Sequence, residues 1–203
     1  MKHLLFGLGL VFLFASCAQQ PQASSTSNDQ STTTQQQPVQ QSRVPATQQA
    51  FFTELSKLCG TSFRGTTVFP ADDKDPFAGK ELTMHVQVCS DTTIRIPFHV
   101  GEDKSRTWVI RKMQEGLQLK HDHRHKDGTP DEITMYGGIA LASDNASEMR
   151  FPADAHTAQL IPAASTNEWT LLLSPDGKTF SYILKRDNQL RFRADFDLTK
   201  PLN

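Results

Sequence analysis

The sequence has almost no excess of charge of either sign. Its 21 lysine and arginine residues are balanced by 22 aspartate and glutamate residues, which leaves a formal net charge of −1. Proteins that bind nucleic acid present a basic face to the phosphates, so the composition gives no electrostatic support for that class of partner. We therefore expect no nucleic acid partner.

Three short motifs that would identify an active site are also missing. The sequence contains no glycine-rich phosphate loop, no Gly-x-Ser-x-Gly nucleophile elbow and no Cys-x-x-Cys redox pair. The sequence therefore identifies no reaction, and whether the protein is an enzyme stays open at this point.

The N-terminal apolar stretch is too short to span a membrane. It occupies residues 4–14, whereas a spanning helix needs ~20 residues. Lys2 precedes it, and the sequence Phe-Ala-Ser-Cys follows at residues 14–17. This arrangement resembles the signal peptide of bacterial lipoproteins with its lipobox, although leucine is usual in that family at the position of Phe14.

The lipoprotein resemblance implies an anchored protein of the bacterial envelope. Residues 1–16 would be removed as a signal peptide, and Cys17 would be lipidated, so that its acyl chains hold the protein on a membrane. Because Ala18 and not aspartate follows, the resemblance implies an outer-membrane lipoprotein that faces the periplasm or the surface. The alternative is an ordinary cleaved signal peptide with a chance cysteine.

A tether is predicted between the lipidated cysteine and the folded part. Residues 17–50 consist almost entirely of glutamine, serine, threonine, alanine and proline. Such a tract buries too little apolar surface to offset the entropy of the chain, so we expect it to be disordered. The folded domain is then predicted to occupy residues 51–203.

The folded domain begins with a predicted helix and continues with strands. Apolar residues at helical spacing predict a helix over residues 51–58, and a second short helix is predicted at 154–160. The alternating pattern of the remainder predicts about nine strands. They are placed at residues 64–69, 81–90, 93–100, 106–113, 117–125, 133–140, 168–173, 178–185 and 190–198.

Short strands at hairpin spacing predict a mainly β fold, an antiparallel up-and-down barrel or sandwich with one short N-terminal helix. A helix followed by a meander resembles the lipocalin-type (calycin) barrels, although their Gly-x-Trp signature is not reproduced. The segments SRTWV, LKHDHRHKDGT and TMYGG also resemble uncharacterised secreted bacterial proteins, and that likeness implies export without indicating an activity.

Alternation also predicts the residues that face the core. In the hairpin of residues 81–100, matching the apolar faces puts Val86 opposite Phe98 and His85 opposite His99. The last strand is predicted to direct Leu190, Phe192, Ala194 and Phe196 inward and Arg191, Arg193, Asp195 and Asp197 outward.

Two cysteines remain once Cys17 is assigned to lipidation. In an exported chain, Cys59 and Cys89 are expected to form a disulfide. The alternative is a pair of free thiols that joins a metal site with histidine.

Three histidines at alternate positions concentrate the chemistry of the sequence in one strand. His121, His123 and His125 would share one face, because side chains alternate between faces along a strand. A two-residue loop before this strand places Trp108 on the same face, whereas a three-residue loop would place Val109 there. The two-residue loop is preferred because it pairs larger apolar residues.

The histidine strand has three interpretations. Two neighbouring histidines of the set can chelate one ion, with Zn²⁺ or Cu²⁺ as the suitable metals. The remaining ligand would come from His85, His99, His156 or Asp154. In the second interpretation the imidazoles form a satisfied polar cluster with aromatic neighbours or with Asp122, Asp127 and Asp131. In the third, they act as acid–base catalysts.

Three functional hypotheses follow from the sequence. The first is a tethered module that binds a small ligand or a metal ion in a pocket lined by Trp108 and the histidine strand. The second is a metal-assisted envelope hydrolase that uses His121 and His123 with Asp127. The third is a structural or assembly lipoprotein that binds another envelope protein through a strand edge.

Overall fold

A computed structural model describes residues 44–70, 75 and 77–202 of the chain. The predicted signal peptide, Cys17 and the tether as far as residue 43 lie outside the described residues. Within the described part, no helix is both long enough and apolar enough to cross a membrane.

The described residues form eleven strands, two α-helices and one 3₁₀ turn. In chain order they are α1 (Ala46–Ser56), β1 (Ser62–Phe69), β2 (Leu82–His85), β3 (Val88–Cys89), β4 (Thr93–Val100), β5 (Asp103–Met113), β6 (Gly116–His123), β7 (Tyr136–Ile139), β8 (Glu148–Pro152), α2 (Ala155–Leu160), the 3₁₀ turn (Pro162–Ala164), β9 (Asn167–Leu173), β10 (Thr179–Arg186) and β11 (Gln189–Leu202).

All strands belong to one antiparallel sheet that curls into a nearly closed barrel. The strand order is β7-β6-β5-β4-β2-β1-β11-β10-β9-β8, and β3 pairs with β4 beside this path. The outermost strands, β7 and β8, meet at a seam where the Leu141 amide donates to the Arg150 carbonyl at 2.8 Å. The predicted mainly β fold with one main helix is therefore confirmed, as a barrel.

Two adjacent glycines let β7 approach β6 on one side and β8 across the seam on the other. A Cβ atom at Gly138 would collide with the carbonyl oxygen of Pro152, and one at Gly137 would collide with that of Leu119. The Asp154 amide donates across the seam to the Gly137 carbonyl at 2.9 Å. Only residues without a side chain permit this approach, which explains the irregularity that the glycine pair predicts in this strand.

Helix α1 closes one end of the barrel. It begins at Ala46, five residues before the predicted start at Phe51, and its first turn buries Gln48. The Gln48 Oε1 atom accepts a hydrogen bond from the Leu117 amide at 2.7 Å, and its Nε2 atom donates to the Leu141 carbonyl at 3.3 Å. The apolar side of the helix packs into the barrel core through Phe51, Phe52 and Leu55.

The register predicted for the first hairpin is wrong by two residues. Phe98 pairs with Met84 and His99 pairs with Thr83, so His85 is not directly opposite His99. The reason is a break after β2, where the Val86 amide donates to the Thr61 carbonyl and not to β4. The break interrupts the alternation, so Val88, which regular alternation from Val86 would direct inward, is 48% exposed.

The second hairpin has the preferred register. Met113 pairs with Gly116 across a two-residue loop, and this register places Trp108 opposite His121 and Ile110 opposite Leu119. All four of these inward side chains are buried. The choice of the two-residue loop is confirmed, because it brings the large apolar residues of both strands into the barrel.

The predicted disulfide between Cys59 and Cys89 is present. Their Cα atoms are 6.2 Å apart, and the bond connects the turn after α1 with β3. It therefore fixes the helix that closes the barrel to the short strand beside β4.

Candidate ligand-binding cavity

A cavity of about 280 Å³ opens at the end of the barrel opposite α1. The course of strand β5 shows that the cavity and α1 lie at opposite ends of the barrel. Lys112, near its end, lies over the ring of Phe52 on α1, whereas Arg106, near its start, lines the cavity. Strand β6 returns from Leu117 beside the helix to His123 in the cavity wall. The apolar lining consists mainly of Phe77, Phe98, Trp108, Tyr182, Leu184 and Phe192.

Stacked aromatic rings make one wall of the cavity rigid. Trp108 stacks on Phe98 with ring centroids 4.8 Å apart, and its other face stacks on Tyr182 at 4.6 Å. Phe77 packs edge-on against Phe98 and Phe192 at the mouth. The apolar wall of the cavity is therefore built before any ligand enters.

His121 lies deep in the cavity and has both ring nitrogens occupied. Its Nδ1 atom is 3.2 Å from the Tyr136 carbonyl oxygen, which can only accept, so Nδ1 carries the proton. Its Nε2 atom, 2.9 Å from the Tyr182 hydroxyl, then accepts a hydrogen bond from Tyr182. The ring also stacks on Tyr136 with centroids 4.7 Å apart.

Burial keeps this pair uncharged. Desolvation lowers the pKa of His121 to about 3, and it raises the pKa of Tyr182 well above its ordinary value. Near neutral pH the imidazole is therefore a neutral acceptor and the phenol a donor. The deep part of the cavity has polar atoms but no charge.

His123 pairs with Tyr136 closer to the mouth. The Tyr136 hydroxyl lies 3.0 Å from His123 Nε2. Burial, followed by the positive charge of Arg106, lowers the pKa of His123, and burial raises the pKa of Tyr136 to about 12. This second imidazole–phenol pair is therefore also neutral at physiological pH.

Two guanidinium groups stand at the mouth. Arg106 lies over the ring of Phe77 at 5.6 Å and donates from Nη1 to Asp103 Oδ2 at 2.6 Å. Arg191, predicted to point outward, lines the cavity instead. The pairing of β10 with β11 shifts at this point, because Leu184 pairs with Phe192 and Lys185 pairs with Leu190, which leaves Arg191 as the extra residue of a bulge.

His125 and Asp127 lie apart from the cavity. Strand β6 ends at His123, and His125 is exposed in the loop that follows. Asp127 is exposed as well, and its carboxylate accepts hydrogen bonds from the Thr129 amide and hydroxyl at 2.9 and 2.6 Å. Of the residues that the sequence predicts to line a ligand or metal site, the structure thus brings Trp108, His121 and His123 together in the cavity.

In the described residues, one group of histidine, cysteine or carboxylate side chains has metal-binding geometry. It consists of His125, Asp131 and Glu132, whose ligand atoms lie within 4.8 Å of one another on the surface. His121 and His123 do not belong to it. The predicted additional ligands are elsewhere too, because Asp154 caps α2 and pairs with Lys120 at 2.5 Å, and His156 is exposed on α2.

His85 and His99 form a separate polar chain away from the cavity. His85 Nε2 lies 2.9 Å from His99 Nδ1, and His85 Nδ1 lies 2.6 Å from the Ser62 hydroxyl. Partial burial, followed by nearby charges that include Lys104, lowers the pKa of both histidines. The predicted proximity of the two rings is therefore observed, through a diagonal contact rather than a directly opposed pair.

The opposite face of β6 is largely buried, although it carries the polar residues Gln118, Lys120 and Asp122. Asp122 is only 1% exposed, and its carboxylate binds Arg95 at 2.7 Å and Arg124 at 2.8 Å. The Thr134 hydroxyl also donates to it at 3.4 Å. The segment after β6 folds back over this face, and the resulting ion pairs hold the histidine strand in position.

Sequence reasoning missed four residues that determine the character of the cavity. They are Arg106, Tyr136, Tyr182 and Arg191. Tyr182 could have been found from the alternation of its strand, in which Phe180, Tyr182 and Leu184 share a face. Arg191 could not, because its inward direction depends on a bulge.

Comparisons with known proteins identify no family for this chain. A scan against models of protein families gives no match, and a search of curated proteins gives none either.

Proposed function

We propose that the protein is an envelope lipoprotein whose barrel binds one small, largely apolar ligand. The main support is the aromatic cavity at the end of the barrel opposite α1. Its volume of about 280 Å³ is just below the ~300–1,000 Å³ typical of small-molecule sites. A barrel closed by a helix at one end and open at the other is also the arrangement in which lipocalin-type barrels hold a ligand.

The polar atoms of the cavity support a binding role over a metal centre. A metal ion on His121 would have to displace the hydrogen bond from Tyr182, whose hydroxyl is buried. Losing a buried hydrogen bond of this kind costs about 1–3 kcal/mol. Asp127, which the metal-assisted hydrolase hypothesis combines with His121 and His123, lies outside the cavity. The contacts therefore favour an organic ligand.

The closure of the barrel gives little support to the third hypothesis, in which another envelope protein binds through a strand edge. Strands β7 and β8 are the two ends of the strand order, and they are joined by the hydrogen bond from Leu141 to Arg150. Among the described strands, this closure covers the edges of β7 and β8, to which a strand from another envelope protein could be added.

Calorimetric titration of the purified protein with two neutral probes, 2-naphthylmethanol and 1-octanol, tests the proposal. We expect saturable binding of at least one probe with a stoichiometry of one. Substitution Leu184→Trp adds volume inside the cavity and should abolish that binding. Ile183→Trp is the matched control, because Ile183 neighbours Leu184 on the opposite face of β10.

Two results would contradict a ligand-binding cavity. One is the absence of saturable binding of either probe to a folded protein. The other is binding that survives Leu184→Trp unchanged, because a ligand bound at another site would not sense the filled cavity.

A further inference from the structure

The distribution of charge at the mouth distinguishes it from the neutral interior. Among the described residues that line the cavity, the charged side chains are Arg106 and Arg191, and none is a carboxylate. The deeper polar groups, His121 and Tyr182, are uncharged near neutral pH. A ligand that fills the site therefore has its inner part against apolar side chains and its outer end beside two guanidinium groups.

The bulge in β11 is the reason that one of these cations faces the cavity. In a regular strand, Arg191 would point away from the barrel and Leu190 would point into it. The extra residue exchanges the two, so that Leu190 is 37% exposed and Arg191 lines the cavity. Arg191 is itself exposed, so its guanidinium group lines the mouth without leaving contact with water. Bulges at such positions often re-aim side chains for binding.

Arg106 reaches the same opening from the other wall. It pairs with Phe98 on one side and His123 on the other, and it shares the inward face of β5 with Trp108. Its bond to Asp103 uses Nη1, and a guanidinium group has five N–H donors. Donors are therefore left for a second acceptor at the mouth.

Asp103 limits how much positive charge the mouth offers. Burial alone would raise its pKa, but hydrogen bonds from Ser105 and Arg106 outweigh burial and lower the pKa to about 2. The carboxylate is therefore ionised and neutralises one of the two guanidinium groups. Among the described residues that line the cavity, together with the ion pair of Arg106, a single positive charge is left over, which matches a ligand with one negative charge.

We propose that Arg106 and Arg191 bind the carboxylate of a small monocarboxylic acid whose flat apolar body occupies the aromatic cavity. This assignment rests on the proposed function, since it specifies the ligand of the same cavity. Guanidinium groups suit the role because their planar array of donors matches the two oxygens of a carboxylate.

A pair of ligands of matched shape tests the assignment. The probes are 2-naphthoate, which is anionic, and 2-naphthylmethanol, which is neutral, each titrated calorimetrically at pH 7.5 in 50 mM salt. We expect 2-naphthoate to bind about tenfold or more tightly, since a charge-assisted hydrogen bond is stronger than a neutral one. Raising the salt concentration to 0.5 M should reduce the preference, because salt screens an exposed charge pair.

Substitutions at the mouth identify the groups responsible. Arg191→Gln should reduce the preference for 2-naphthoate to about threefold or less, while binding of the alcohol changes less than twofold. Arg106→Gln should do the same, with circular dichroism used to verify folding. Arg111→Gln is the matched control, because Arg111 lies on the outer face of the same strand as Arg106 and leaves the cavity unchanged.

The outcomes separate this assignment from the proposed function. If the alcohol binds and 2-naphthoate binds no better, the carboxylate site is refuted while the apolar cavity stands. If neither compound binds, the cavity itself is refuted. A preference that persists in both Arg191→Gln and Arg106→Gln would overturn the assignment, and so would tighter binding of the dianion 2-naphthyl phosphate.

Discussion

The imidazole of His121 is held between a tyrosine hydroxyl and a backbone carbonyl inside the barrel. The alternation of histidines along this strand resembles that of a metal-binding strand. Alternation specifies only the face of the sheet to which a side chain points, and not the partners that the side chain meets there. Here the partners are Tyr182 and Tyr136, which come from β10 and β7. At the scale of the residue, the histidine is a neutral lining group.

This burial makes the stability of the protein depend on pH. The pKa of His121 is lowered from 6.5 to about 3, so the unfolded chain binds a proton at pH values where the folded protein does not. The contribution of the neutral, buried His121 to the unfolding free energy is complete above pH 6.5, and it is lost as the pH falls toward 3. We expect His121 alone to remove about 2 kcal/mol of unfolding free energy between pH 7.5 and pH 5.

Urea denaturation at a series of pH values measures this contribution. His121→Gln keeps a donor and an acceptor at the site but cannot be protonated, so its unfolding free energy should fall less steeply with acidification. His125→Gln is the control, since His125 is exposed and its substitution should leave the steepness unchanged. Equal pH dependence in all three proteins would contradict the structural role of His121.

At the scale of the elements, regular alternation was predictable and interruptions were not. The pairing of β5 with β6 follows from the apolar faces of Leu117, Leu119 and Ile110, because a shift of one residue would expose all of them. The bulge at Arg191 and the break after His85 each depend on backbone hydrogen bonds to a neighbouring strand or turn. A single sequence does not contain that information, so the mouth of the cavity was missed.

The seam between β7 and β8 gives a prediction about glycine. Gly138→Ala places a methyl group against the Pro152 carbonyl, which is backbone and cannot rotate away. We expect the substitution to open the seam and to lower the unfolding free energy by roughly 1–3 kcal/mol. Hydrogen exchange should become faster at the Leu141 and Asp154 amides, whose hydrogen bonds cross the seam.

Gly128→Ala serves as the comparison for this seam prediction. Gly128 has a φ of +86°, and a Cβ atom added there would have no neighbouring atom within 4 Å, so alanine introduces backbone strain without any collision. Hydrogen exchange at the seam in this variant should match that of the unsubstituted protein. Unchanged protection of the Leu141 amide in Gly138→Ala would show that the glycine is not required for closure.

At the scale of the whole molecule, the barrel was predictable because nearly every strand is marked by period-two alternation and by turn residues at its ends. The choice between barrel and sandwich was not, since it depends on whether β7 meets β8. That meeting requires Gly138 to approach the Pro152 carbonyl of β8 closely. The sequence shows the pair but not the partner strand.

The proposed attachment to a membrane is tested on the full-length chain. If Cys17 is lipidated, expression in a bacterium should place the protein in the membrane fraction, and Cys17→Ser should shift it to the soluble periplasmic fraction. Cys59→Ser removes a thiol of the disulfide instead and should leave the fractionation of the folded protein unchanged. Membrane association that survives Cys17→Ser would refute the lipid anchor.

The stacked wall of the cavity has a practical consequence. The chain contains two tryptophans, and both are coupled to the site. Trp108 lines the cavity, while Trp169 packs against the His121 ring at 5.0 Å and the Tyr136 ring at 5.8 Å. Intrinsic emission of the unlabelled protein therefore originates almost wholly beside the cavity, so the chain has its own optical signal of occupancy.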